Sequence, residues 1–152
     1  MNEKLLRITA SNLDIENFYS GSENVADLNG SIEIEANLGY VRFRGSLSVS
    51  GSIIALAGSG IEAGEGIEAG SGIKAGEGIK AGWGIEAGWG IEAGFSIIAK
   101  WIATPLRIFA GLCNWKLPSE SEMEIRAELR AGAVAFGTLK TPSADNKTEA
   151  VS

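Results

Sequence analysis

Residues 61–96 read Ile61-Glu-Ala-Gly-Glu-Gly, Ile67-Glu-Ala-Gly-Ser-Gly, Ile73-Lys-Ala-Gly-Glu-Gly, Ile79-Lys-Ala-Gly-Trp-Gly, Ile85-Glu-Ala-Gly-Trp-Gly, Ile91-Glu-Ala-Gly-Phe-Ser. A fixed six-residue period describes a stack of near-identical units. Within each unit Ile-x-Ala alternates, so a short strand puts isoleucine and alanine on one side and glutamate or lysine on the other. The Gly-x-Gly that follows has turn chemistry, since glycine reaches positive φ without steric cost. Such a unit is too short for a helix or an ordinary sheet. It suits one side of a β-solenoid, in which each strand pairs with the coils above and below. A helix would lose roughly 1 kcal/mol at each glycine relative to alanine. Collagen would need glycine at every third position.

Three units close a triangular coil of 18 residues. Ile61, Ile67 and Ile73 then lie under Ile79, Ile85 and Ile91 at the strand spacing of roughly 4.8 Å. Glu62 falls under Lys80 and Lys74 under Glu92, both favourable cross-strand pairs. Glu68 falls under Glu86, a like-charge pair that costs stability unless the side chains splay or a cation sits there.

The rhythm extends outward. Counting back by six gives Ala55, Val49 and Phe43, each followed two residues later by a small residue. Counting forward gives Ile97, then Ile102 and Ile108 after one skipped residue. The expected fold is all-β: a single-stranded triangular solenoid of about four coils over 43–114. Residues 1–42 supply N-terminal strands and a cap, with clean alternation over Ser31 to Ala36. Residues 115–140 supply a second cap. There Met123 to Ala131 alternates and turns at Gly132 into Ala133 to Leu139, read as a β-hairpin. Residues 141–152 form a polar tail, expected to be disordered. Covers are expected because open solenoid ends invite edge-to-edge growth.

The fifth position of the unit holds Leu47, Ile53, Ser59, Glu65, Ser71, Glu77, Trp83, Trp89, Phe95 and Trp101 in turn. The two glutamates make it an outward corner. At an 18-residue offset Trp83 lies under Trp101, and Trp89 above Ser71. Four large aromatics on otherwise polar corners form an apolar surface, which monomers rarely leave bare. Either the C-terminal segment covers it or a partner does.

Composition narrows the chemistry. The 152 residues carry a net charge of −6, which disfavours nucleic acid and anionic membrane as partners. There is no histidine, so histidine acid/base catalysis, Ser-His-Asp arrangements and the usual zinc sites are absent. Cys113, the single cysteine, lies in an apolar stretch and reads as a small core residue in a reducing cytosol. The start, Met1-Asn-Glu-Lys-Leu-Leu-Arg, lacks the apolar run of a signal peptide, and no stretch is long enough for a membrane helix. A cytoplasmic location is expected. Gly-x-Gly here is followed by no helix, so no dinucleotide fingerprint exists. No cofactor, metal or catalytic residue is expected. Glu68 and Glu86 are the one carboxylate pair that could share a cation, and a splayed, solvated pair is the simpler reading.

Over Phe43 to Asn114 the period and aliphatic placement resemble the hexapeptide-repeat, left-handed β-helix superfamily. The small residue, however, follows the aliphatic one by two, as in Ile85-Glu-Ala87, where that superfamily places it two before. Family enzymes rely on histidines this chain lacks, so the resemblance implies self-association and not activity. The chain is also similar, more loosely, to bactofilins, which form polymers. In type it resembles small acidic phage-encoded inhibitors of bacterial defence systems. The expectation is a non-enzymatic, protein-binding solenoid that forms homo-oligomers, with Trp83, Trp89, Phe95 and Trp101 as anchors. Its partner would be another copy or a host complex. The alternative is a polymer-forming scaffold.

Overall fold

The computed structural model describes residues 4–113 and 116–141. The early strands are β1 (Lys4–Ile8), β2 (Gly30–Ile34), β3 (Gly39–Phe43), β4 (Leu47–Val49) and β5 (Ile53–Ala55). The central ones are β6 (Ser59–Ala63), β7 (Ile67–Ala69), β8 (Ile73–Ala75), β9 (Ile79–Ala81), β10 (Gly84–Ala87) and β11 (Ile91–Ala93). The last are β12 (Ile97–Phe109), β13 (Glu124–Phe136) and β14 (Thr138–Lys140). Among the described residues helical structure is confined to two three-residue 3-10 turns, and no helix is long and apolar enough to cross a membrane.

The strand pairs are parallel and fall into three columns. The first side stacks β3, β6, β9 and the start of β12. The second stacks β4, β7, β10 and the middle of β12. The third stacks β1, β2, β5, β8, β11 and the end of β12. The chain visits the sides in rotation and returns one level higher, which is a β-solenoid. Ile67 pairs with Ile85, and the six repeat isoleucines are at most 1% exposed. Each contributes about 1.5–3 kcal/mol by burial. That interior is the core of the molecule.

Coil length varies. Val41 pairs with Ile61, Leu47 with Ile67 and Ile53 with Ile73, twenty residues apart. The repeat coils use eighteen, and Ile85 to Ile102 uses seventeen. The isoleucine positions below the repeat are therefore Val41, Leu47 and Ile53. Phe43, Val49 and Ala55 take the alanine position instead, pairing with Ala63, Ala69 and Ala75. Leu47 and Ile53, expected at outward corners, are fully buried. A two-residue slip keeps every side chain on its own face, so the hydrophobic pattern fits both frames. The extra length sits at the corner Leu56 to Gly58, where Gly58 has φ 79°.

Repeat glycines serve spacing, not left-handed backbone. None between 61 and 96 has positive φ. A Cβ on Gly64, Gly70, Gly82 or Gly88 would strike the carbonyl oxygen of Arg44, Ser50, Gly64 or Gly70 in the coil below.

The expected C-terminal hairpin is instead a further coil. β13 runs parallel over β12 on all three sides, pairing Ile125 with Ile97, Leu129 with Ile102 and Val134 with Ile108. β14 then lies parallel on β13, with Leu139 over Ile125. Gly132 and Gly137, at φ 106° and 107°, turn the chain from one side to the next and do not reverse it. At the other end, bridges Phe18–Arg42 and Leu28–Val49 continue the first two sides downward. The loop beneath, pinned by an antiparallel Leu13–Tyr19 bridge, packs Leu13, Tyr19 and Val25 on the core. Residues 142–152, expected as a tail, lie outside the described residues.

Candidate interaction surface

The outward positions of the strands form charged columns. On the third side Arg7 and Glu33 approach to 2.9 Å, and Lys74 is the register partner of Glu92. On the first side Arg42 and Glu62 approach to 3.8 Å, and Lys80 follows Glu62. The expected opposite-charge pairs form at these levels, while Ile54 separates Glu33 from Lys74 and, higher on the first side, Arg126 is the register partner of Lys140.

The second side breaks that rule. From β4 to β12 its column reads Ser48, Glu68, Glu86 and Ala103, four levels without a lysine or arginine, and Arg130 follows on β13. Glu68 and Glu86 are exposed register neighbours, and the Ser48 hydroxyl donates to Glu68 Oε1 at 3.2 Å. Asp27 joins them at the lower end of a groove of about 530 Å³ that also takes in Ser48 and Pro105. Asp27 carried no signal in the sequence. It arrives through the Leu28–Val49 bridge, outside the repeat.

A second groove of about 180 Å³ lies alongside, lined by Ser46, Glu68, Glu86, Trp83 and Trp101 among others. Trp83 occupies the corner between the first and second sides, and Trp89 the corner between the second and third. They are 55% and 64% exposed. Their backbones are fixed: the Trp83 and Trp89 N–H groups donate to the carbonyls of Glu65 and Ser71, and the Thr104 hydroxyl donates to the Trp89 carbonyl at 2.8 Å. Trp89 therefore does sit above Ser71.

Trp101 does not sit above Trp83. The seventeen-residue coil places it over Gly84, and Lys100 takes the level above Trp83, its Nζ 5.1 Å from the ring centroid. The Trp101 indole lies where a Gly84 Cβ would be, with the Arg130 guanidinium 4.7 Å from its ring centroid. Its Nε1–H is buried without an acceptor among the described residues, at a cost of about 1–3 kcal/mol.

Phe95 stands at the remaining corner, between the third and first sides, half-buried and with Lys116 Nζ 5.4 Å from its ring centroid. The aromatics therefore do not form one patch. Each unit builds one side, so successive fifth positions occupy successive corners. Near Phe95 two groups titrate abnormally. Burial raises the Glu77 carboxyl, with Lys116 opposing, and burial together with the Glu77 charge raises the Tyr40 phenol.

The structure thus brings together Glu68, Glu86, Trp83 and Trp101, sets Trp89 on the opposite rim, and leaves Phe95 elsewhere. Among the described residues no three histidine, cysteine or acidic side chains converge as metal ligands. The arrangement offers an acidic strip between two exposed indoles, suited to attracting and stacking on cationic groups. Comparison with protein-family models, with curated proteins and with solved structures finds no match.

Proposed function

We propose that the protein is a non-enzymatic binding scaffold whose second side takes a cationic segment of another protein. The observation that carries this reading is the like-charged pair Glu68 and Glu86 between the exposed Trp83 and Trp89. Like charges at register partners cost stability in the free protein. A lysine or arginine from a partner turns that cost into an attraction. Indoles at the rims add cation–π contact and the anchor type that dominates binding hot spots. The net charge of −6 steers basic partners toward the molecule. The outline shared with hexapeptide-repeat solenoids supports self-association beside this role. In the cytoplasm, an inhibitor of the phage type would act by covering a basic surface of a host complex.

The test is fluorescence anisotropy with a labelled decapeptide of alternating arginine and glycine, against an alternating glutamate–glycine control. Binding of the arginine peptide alone is expected, weakening as salt rises. Glu68→Gln/Glu86→Gln and Trp83→Ser/Trp89→Ser should each weaken it at least ten-fold. Equal affinity in all three proteins would remove the second side from the account.

An end-to-end scaffold is the second reading, favoured by the outer edge of 128–136 and of β14, which pairs with no strand among the described residues. Electron microscopy separates the two, since a scaffold gives filaments and a binding protein discrete particles.

A further inference from the structure

The two ends of the solenoid differ. At the N-terminal end the core finishes in Ile8, fully buried, Leu28, 7% exposed, and Leu6, half-buried, and the loop after β1 packs Leu13, Tyr19 and Val25 against it. At the C-terminal end the three interior columns finish in Leu129, Val134 and Leu139, one per side. Each packs on the core below and is only half-buried. Among the described residues, nothing pairs with the outer edge of 128–136 or of β14. No charged residue occurs from Ala131 to Leu139, and Phe136 is 43% exposed. This is an open cross-section of the core beside a free strand edge, which unpaired proteins ordinarily block.

The segment that forms this edge is self-complementary. Residues 128–140 read Glu-Leu-Arg-Ala-Gly-Ala-Val-Ala-Phe-Gly-Thr-Leu-Lys. Turned antiparallel against itself about Val134, it sets Leu129 opposite Leu139, Ala133 opposite Ala135, Phe136 opposite Gly132 and Glu128 opposite Lys140. Interior residues meet interior residues, because Leu129, Val134 and Leu139 are evenly spaced about the centre. The charged ends meet with opposite sign. An aromatic against a glycine repeats the seat Trp101 has on Gly84.

We infer that two copies join end to end through this edge, as a closed two-fold dimer centred on Val134. A two-fold contact uses the same patch on both copies and closes on itself. The N-terminal ends, each carrying the loop with Leu13, Tyr19 and Val25, then face outward, and the two-fold contact itself stops at two. The occupant is a second copy, not the eleven residues 142–152. Those residues, Pro-Ser-Ala-Asp-Asn-Lys-Thr-Glu-Ala-Val-Ser, have too few apolar side chains to cover three interior columns. The inference deepens the self-association of the proposed reading and places it away from the second side.

Light scattering on the full chain should give twice 15.8 kDa. Residues facing each other across an antiparallel axis have Cα atoms about 4.5–5.5 Å apart, within disulfide reach. In a Cys113→Ser background, Val134→Cys should therefore oxidise to a covalent dimer on a non-reducing gel. Ala133→Lys/Ala135→Lys, at two exposed positions, should yield a folded monomer by circular dichroism and light scattering. Trp83→Ser/Trp89→Ser should leave the dimer intact, so failure of the second-side reading is told apart from failure here. A monomeric wild type would overturn the inference. So would a dimer that Val134→Cys does not cross-link, filaments, or dimerisation that begins only when 142–152 are removed.

Discussion

Gly84 and Gly66 occupy the same place in successive coils, yet only one is obliged to be glycine. An added Cβ at Gly84 would enter the Trp101 indole, whereas at Gly66 the nearest atom would be the Gly84 carbonyl oxygen at 3.4 Å. Gly84→Ala should destabilise the protein by about 1–3 kcal/mol, as overpacking does. Gly66→Ala should stay within about 0.5 kcal/mol of wild type. Urea unfolding of both variants checks the contrast. Glu77 offers a second test at this scale. Its carboxyl is raised by burial, so the folded state favours the protonated form. The native state therefore loses stability as pH rises through the carboxylate range and regains it below that range. Glu77→Gln should raise the melting temperature at pH 7, and the gain should vanish near pH 3. A constant gain at both values would assign the effect to packing.

At the scale of the strand, the second side exchanges stability for charge. Glu86→Lys would set a cation opposite Glu68, as Lys80 already stands opposite Glu62 on the first side. It should stabilise the fold by about 0.2–1 kcal/mol while weakening the arginine peptide at least ten-fold. Melting and anisotropy on one preparation give both readings, and a loss of stability would show that Glu86 holds some unrecognised contact. Glu68 and Glu86 were legible in the sequence because the unit repeats without error there. The division of the aromatics among three corners follows from the same period once each unit is assigned a side. The frame below Ile61 was not legible, because Phe43 and Val41 share parity and hydropathy cannot separate them. The path of β13 was not legible either. Alternation from Met123 to Ala131 fixes a strand and its inner face, but Gly132 suits both a hairpin reversal and a solenoid corner. Only the partner, β12, decides between them.

For the molecule as a whole, the coils of twenty, eighteen and seventeen residues are joined by contacts between adjacent levels. In such a stack stability is a sum of similar layers and no layer is unique. Excising residues 67–84 would bring Ile85 onto Leu47, Ile91 onto Ile53 and Ile97 onto Ile61, and would seat Trp101 on the permissive Gly66. The shortened chain should fold, with an unchanged circular dichroism spectrum and a lower melting temperature. A disordered product would show that the layers are not interchangeable. If the excised chain folds, height becomes a heritable variable: copying or losing one eighteen-residue block of the gene would lengthen or shorten the column by a single step of about 4.8 Å. Both ends, and whatever each end recognises, would pass unaltered to the descendant.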